Sequence, residues 1–271
     1  MAKRALFFLL IVVTNATLAL LHPFSISRLY LVLLLYVLGT GVTLYLLVHP
    51  RNSWLVANRS QVDSADCVAL TFDDGPDPVD TPRLLDILHE KGVKATFFVV
   101  GKRAEQYPEI VRRARDEGHL IASHTWSHSL VFCFLTPRRL RAEIERGAEV
   151  VHRICGFRPR YFRSPVGLRH PLLGTYLKHE EQEFISWSVR SYDTIIKKSS
   201  VLSRRILKQA TGGDIILLHD HLPSGASAML EVLPGIIDEL RGRGLEFVLV
   251  GSRKVVGDAS LQSICTNKSY A

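Results

Sequence analysis

Two apolar runs stand at the start of the chain. Residues 5–21 are seventeen positions without a charge, and 29–48 are twenty more. At about 1.5 Å of rise per residue, twenty helical positions reach roughly the 30 Å of a bilayer's hydrocarbon core. The pattern predicts two transmembrane helices, about 5–21 and 29–48, turning at His22-Pro23-Phe24. A signal peptide followed by one anchor is the rival, since Lys3 and Arg4 precede the first run. Ala16-Thr-Leu-Ala19 is a poor cleavage site, however. Two buried core helices are the third reading.

A polar connector, 52–65, leads into a regular alternation. Apolar, strand-like runs stand at 67–72, 95–100, 119–123, 161–163, 183–188, 214–219 and 246–250, with helical patterns between most of them. Thr81-Pro82 and Thr136-Pro137 each offer a threonine N-cap followed by proline at the first helical position. After the second, Leu140, Ile144, Ala148, Val151 and Cys155 recur at three- and four-residue spacing, an amphipathic face. Residues 105–118 and 199–211 read as charged, exposed helices, and 226–241 as another. Strands alternating with helices imply a parallel sheet, either closed into a distorted (β/α) barrel or left open and doubly wound. In both, ligands bind at the C-terminal ends of the strands.

Charge narrows the class. Residues 1–51 contain Lys3, Arg4, Arg28 and Arg51 and no acid, half of the net charge of +8. The remainder is a mildly basic domain without the stripe of a nucleic-acid binder, so a membrane and no nucleic acid is the expected partner. Basic flanks favour anionic lipid. Their distribution favours both chain ends in the cytoplasm by only one or two charges, which leaves the domain's side of the membrane open. The four cysteines, Cys67, Cys133, Cys155 and Cys265, form no CxxC; Cys67 and Cys155 read as small buried hydrophobes.

The chemistry gathers where strands end. TFDDGPD, residues 71–77, sets Asp73 and Asp74 side by side before Gly75-Pro76. Neighbours on a strand point to opposite faces, but the Gly-Pro break ends the alternation and lets both carboxylates converge. Two acids in one mouth repel unless a cation lies between or beside them. The next strand end supplies partners: His124 and His128 in HTWSH, four apart and expected on one face of a helical turn. Two histidines and a carboxylate leave coordination positions open, as in catalytic zinc or non-haem iron sites. Further strand ends deliver Arg163 in RSPVG, Arg190 and Asp193 after Trp187, and His219 after four aliphatic residues.

TFDDGP, HTWSH, RSPVG, an aspartate-bearing segment after Trp187 and LLH, in that order, resemble the polysaccharide deacetylases: carbohydrate esterase family 4, the NodB-homology domain. The similarity spans 66–251, between the membrane anchor of 1–51 with its connector and a tail of 252–271. It implies the distorted (β/α) barrel. It also implies a divalent metal, usually zinc, on Asp74, His124 and His128, with Asp73 as the general base for the attacking water. His219 would be the acid that protonates the leaving amine, Arg163 would keep Asp73 ionised, and Asp193 would orient His219 and raise its pKa. The backbone N–H of Val166 would face the oxyanion, and Leu217 would line the acetyl pocket.

Three positions depart from the family pattern: Arg190 stands where an acid is usual, Thr194 where tryptophan is, and Val166 where an aromatic is. Fewer aromatics mean weaker sugar stacking, and Arg190 adds a cation to the substrate pocket. The expected activity is removal of the N-acetyl group from an amino sugar, polymeric or lipid-linked, by an enzyme anchored in a bacterial-type cell membrane. An extracytoplasmic peptidoglycan or chitin deacetylase is the nearest alternative. A degenerate carbohydrate-binding protein is the reading from another class.

Overall fold

The computed structural model describes residues 26–222, 225 and 227–252. The first apolar run, most of the tail and Cys265 lie outside the described residues. Helix α1, Ile26–Val48, carries the second run. Its Leu29–Val48 stretch has mean hydropathy 2.4 and is long and apolar enough to cross a membrane.

Strands β1 (Asn58–Arg59), β2 (Cys67–Asp73), β3 (Thr96–Val99), β4 (Leu120–Ser123), β5 (Tyr161–Phe162), β6 (Glu183–Ile185), β7 (Val189–Arg190) and β8 (Ile215–His219) form one parallel sheet. Their order is β1-β6-β5-β4-β3-β2-β8-β7, and β9 (Glu246–Phe247) pairs with β2. The sheet curls into a barrel that is open between β1 and β7. The period-2 rule sorts the strand side chains into two cores. Val68, Leu70 and Phe72 of β2, with Ile216 and Leu218 of β8, pack outward under the helices. Cys67, Ala69, Phe98, Ala122, Ile185, Trp187, Ile215 and Leu217 fill the interior. Continuous apolar runs in the sequence reflect strands covered on both faces.

Around the sheet lie α2 (Asp80–Glu90), α3 (Gly101–Gln106), α4 (Pro108–Asp116), α5 (Pro137–Cys155), α6 (Leu173–His179), α7 (Ser199–Gln209) and α8 (Ser227–Gly242). Thr136 sits at the N-cap position of α5 with Pro137 at the first helical position, as expected, although its hydroxyl makes no capping bond. Thr81 does not cap α2, which begins a residue earlier. Val79 stands at the N-cap position without a side-chain cap, and Asp77, two residues earlier, has its Oδ1 accepting the N–H groups of Val79 at 2.8 Å and Asp80 at 2.9 Å. The helix expected over 105–118 is two helices broken at Pro108, which cannot donate to the previous turn. Strands β1 and β7 and helix α6 are too short to show a period in the sequence. β1 lies inside the expected connector.

The end of α1 is docked onto the barrel. Arg169 N–H donates to Leu47 O at 3.0 Å, its Nη2 to Pro50 O at 2.7 Å, and Ser186 Oγ donates to the same carbonyl at 2.7 Å. Arg169 is fully buried, and burial pushes its pKa down to about 10. Such a charge costs free energy to bury unless it binds something specific. Here it binds the chain leaving the helix. Arg169→Met should therefore leave global stability within about 2 kcal/mol, as apolar replacements of buried charges often do, while limited proteolysis near residue 50 accelerates.

Candidate active site

Asp73 and His219 are register partners on β2 and β8, so both face the interior at the same level. Beneath them lies Arg163, fully buried and stacked 4.0 Å over the Phe98 ring. Its Nη1 donates to Asp73 Oδ1 at 2.7 Å and Thr71 Oγ1 at 2.9 Å. Its Nε and Nη2 donate to the carbonyls of Ile185 at 3.2 Å and Ser186 at 2.9 Å. Burial pushes the guanidinium pKa down against the pull of Asp73, and the four acceptors offset that desolvation.

Asp74 reaches the same face because its own backbone is left-handed, φ 77°. Strand β2 ends at Asp73, so the reversal sits at Asp74 itself rather than at Gly75-Pro76. Asp74 Oδ1 lies 3.0 Å from His128 Nε2 and 3.3 Å from His124 Nε2. The histidines do not share a helical turn, contrary to expectation. They flank an irregular loop in which Thr125 has φ 67° and His128 φ 55°. Glu143 of α5 ties that loop, accepting from Ser127 N–H at 2.8 Å and Ser127 Oγ at 2.6 Å. Non-glycine residues at positive φ are strained, and such strain collects at functional sites.

The donor set suits a cation. His124 Nδ1 is 2.7 Å from Arg163 O, which makes it the protonated nitrogen and leaves the Nε2 lone pair facing Asp74. Asp74 Oδ1 is buried and takes no hydrogen bond among the described residues. Ligand atoms of Asp74, His124 and His128 lie within 4.8 Å of one another. Burial works against the charge on Asp74, yet the two facing histidines hold its carboxyl well below the ordinary range. Burial likewise disfavours charge on His128, and Asp74 raises its pKa in spite of it. A carboxylate oxygen and two imidazole nitrogens thus converge on one point, and a divalent metal fits them. Glu145, His179 and Glu180 form a second cluster of that size, but Arg141 and Arg158 already engage its carboxylates at 2.5 and 2.6 Å.

At the end of β8, Asp193 holds His219 twice, Oδ1 lying 2.7 Å from its Nδ1 and Oδ2 accepting its N–H at 2.8 Å. Val166 lies in a short turn, Pro165–Gly167, at φ 57°, and its N–H has no acceptor among the described residues. Leu217 is buried in the interior core beside Trp187. Arg190 lies at the mouth with its guanidinium 5.7 Å from the Trp187 ring and 5.0 Å from that of Tyr192. Thr194 lines a neighbouring cavity that also holds Asp74 and His128. The structure thus brings all the expected site residues to one end of the barrel.

Several site residues carried no visible signal. Thr71 supports Arg163, Glu143 fixes the histidine loop, and Tyr192 stacks the mouth arginines. Asp77 accepts from Arg103 Nη2 at 3.3 Å and lies 2.9 Å from His221 Nδ1. Asp220 is wholly buried and accepts from Thr81 Oγ1 at 2.7 Å; burial pushes its pKa up to about 7. A β-carbon on Gly75 would collide with that carboxyl. The run HDH at 219–221 was the one hint.

A parallel barrel with these side chains at its C-terminal end defines a carbohydrate deacetylase fold, and comparison with known proteins fixes the family. The chain belongs to the polysaccharide deacetylase family, whose model matches residues 60–182. It is 36% identical over 188 residues to a peptidoglycan-N-acetylglucosamine deacetylase of Bacillus cereus, covering 68% of this chain and 67% of that one. To the peptidoglycan-N-acetylmuramic acid deacetylase PdaC of Bacillus subtilis it is 33% identical over 172 residues, 64% of this chain but 36% of that protein. The crystal structure of the Bc1960 peptidoglycan N-acetylglucosamine deacetylase superposes with TM-score 0.66 at 34% identity, covering 71% of this chain and 90% of that one.

The His219 environment yields a pH prediction. Burial disfavours the imidazolium, but the Asp193 hydrogen bond and the charges of Asp193, Asp73 and Asp74 outweigh it and raise the pKa to about 9. A raised folded-state pKa gives stability that is full below the unfolded value of about 6.5 and is lost as pH rises through about 9. In metal-free protein, Asp193→Asn should therefore destabilise more at pH 6 than at pH 9.5 by chemical denaturation.

Proposed function

We propose that the chain is a membrane-tethered, metal-dependent N-deacetylase that hydrolyses the acetamide of an N-acetylated amino sugar to a free amine and acetate. The observation that carries this reading is the placing of two supported groups side by side at one strand end: Asp73 on its arginine, near three convergent ligands, and His219 on its aspartate. Asp73 takes the proton of the attacking water, and a C–O bond forms at the acetyl carbon. The Val166 N–H donates to the oxyanion. His219 then delivers a proton to the nitrogen as the C–N bond breaks. Asp74, His124 and His128 hold the metal, zinc by the habit of the family. When bound it would lower the pKa of water toward about 7 and polarise the acetyl oxygen. Leu217 and Trp187 supply the apolar floor for the acetyl methyl.

The hydrophobicity of α1 supports the membrane tether. The peptidoglycan deacetylases among the relatives favour a second reading of the substrate, a cell-wall polymer outside the membrane. A catalytically degenerate carbohydrate-binding protein is the alternative from another class. It gains little support, since binding a sugar requires neither the Asp193–His219 pair nor a buried arginine under Asp73.

Acetate release from chitooligosaccharides and from peptidoglycan fragments tests the reading. Chelation should abolish turnover and added zinc restore it. Asp73→Asn should lower kcat by about 10²–10⁴-fold, the usual contribution of general base catalysis, while zinc still raises the melting temperature. In Asp74→Asn that zinc-dependent shift should be lost. Turnover indifferent to both chelation and Asp73→Asn would sink the proposal.

A further inference from the structure

Beside the catalytic mouth lies a cavity of about 550 Å³ that none of the roles above uses. One wall is apolar and belongs to the last turn of α1: Leu44, Tyr45 and Val48. Three arginines also line it: Arg51, just past the end of α1, and Arg190 and Arg205 from the barrel. Val166, the candidate oxyanion donor, and Trp187 also line it, which sets the cavity next to the candidate site.

The basic wall is built rather than incidental. Arg205 Nε donates to Arg190 O at 3.2 Å. Both guanidiniums stack on one ring, Arg205 at 4.4 Å and Arg190 at 5.0 Å from the Tyr192 centroid. Tyr192 itself is held at φ 61°, a conformation that costs free energy for a residue of its size. None of the three arginines makes an ion pair with a carboxylate among the described residues. Like charges gathered on one side chain repel one another, and an anion between them removes that penalty. Guanidinium pairs suit phosphate in particular, through planar charge-assisted hydrogen bonds.

The apolar wall says what carries the phosphate. Pro50 O, fixed by Arg169 and Ser186, holds the end of α1 against the barrel. The arginines thus lie at the level where a membrane-spanning α1 leaves the hydrocarbon. A hydrocarbon chain running along Leu44, Tyr45 and Val48 meets cations where its headgroup begins. We propose that this cavity is a phosphate subsite, and that the substrate is an N-acetylated amino sugar joined through phosphate to a lipid. The phosphate lies on Arg51, Arg190 and Arg205, the lipid follows α1, and the sugar reaches past Val166 to Asp73 and His219. This rests on the deacetylase reading and names the substrate of that same site. Arg190, where relatives of the resembled family carry an acid, is the specificity determinant.

The test uses the full chain in phosphatidylcholine nanodiscs with zinc. Acetate release is measured from a dodecyl phosphodiester of N-acetylglucosamine, from the uncharged dodecyl N-acetylglucosaminide, and from N-acetylglucosamine 1-phosphate without a chain. The phosphodiester amphiphile should have the highest kcat/KM, by about tenfold or more, the scale of charged hydrogen bonds. Its preference over the uncharged amphiphile should fall by about that factor in Arg190→Gln/Arg205→Gln and in Arg51→Gln. Arg51 is exposed, so that variant folds regardless of packing in the mouth. Equal kcat/KM for charged and uncharged amphiphiles, or variants that lower both in proportion, overturns the subsite. Equal turnover of the chain-free sugar phosphate overturns the lipid.

Binding of dodecyl phosphate, read by tryptophan fluorescence against inorganic phosphate and an uncharged dodecyl glycoside, separates the two readings. Arginine-dependent binding of the phosphate amphiphile without acetate from any substrate would remove the deacetylase and keep the subsite. Acetate release without charge preference or selective binding would do the reverse.

Discussion

The site is organised around one buried cation. Arg163 sits at the bottom of the mouth, and its three nitrogens make four hydrogen bonds, to Asp73, Thr71 and the carbonyls of Ile185 and Ser186. Its own carbonyl meanwhile fixes the tautomer of His124. One residue, through its side chain and its carbonyl, therefore couples the candidate base on β2, a candidate ligand after β4 and the end of β6. Removing either partner of a buried pair strands a charge, at a cost of about 3–5 kcal/mol. The barrel interior accepts the guanidinium because Phe98 stacks against it while strand-end carbonyls take its protons. Asp73 is thereby fixed in one orientation, against a permanent positive charge.

Strain completes what the ion pair begins. Asp74, Thr125, His128 and Val166 all adopt positive φ without being glycine. Each such residue costs on the order of 1–3 kcal/mol, and the surrounding packing offsets it. Gly75 is confined against Asp220, Glu143 grips Ser127, and Gly167 abuts the Trp187 ring. The reward is convergence: two adjacent aspartates face one point, and two histidines meet them from a loop without helical order. The same barrel end then meets α1, so the helix and the mouth are parts of one surface.

Much of the frame was legible. Seven apolar runs alternating with helical patterns announced a parallel sheet, because strands covered on both faces must be apolar throughout, and the family resemblance pointed to the barrel. The motif order marked Asp73, Asp74, His124, His128, Arg163, Asp193 and His219 as one group. The details that failed are those that long-range contacts decide. Thr81 was assigned to capping, but its hydroxyl donates to Asp220, more than a hundred residues away in sequence. The i, i+4 histidines suggested a helical turn, yet Glu143 on the following helix imposes a loop. Tyr192 and Glu143 were invisible for the same reason.

What the sequence by itself determined is the list of reactive groups and their level in the fold. Period-2 alternation places Asp73, Leu217 and His219 inward, and strand ends place the rest at one mouth. What only the tertiary structure decided is how neighbours that alternation should separate come to share a point, since that depends on backbone conformations stabilised by distant side chains. It also decided that Arg190 has company. Arg51, Arg190 and Arg205 are scattered along the chain, and only the curl of the sheet and the docking of α1 gather them into one cavity.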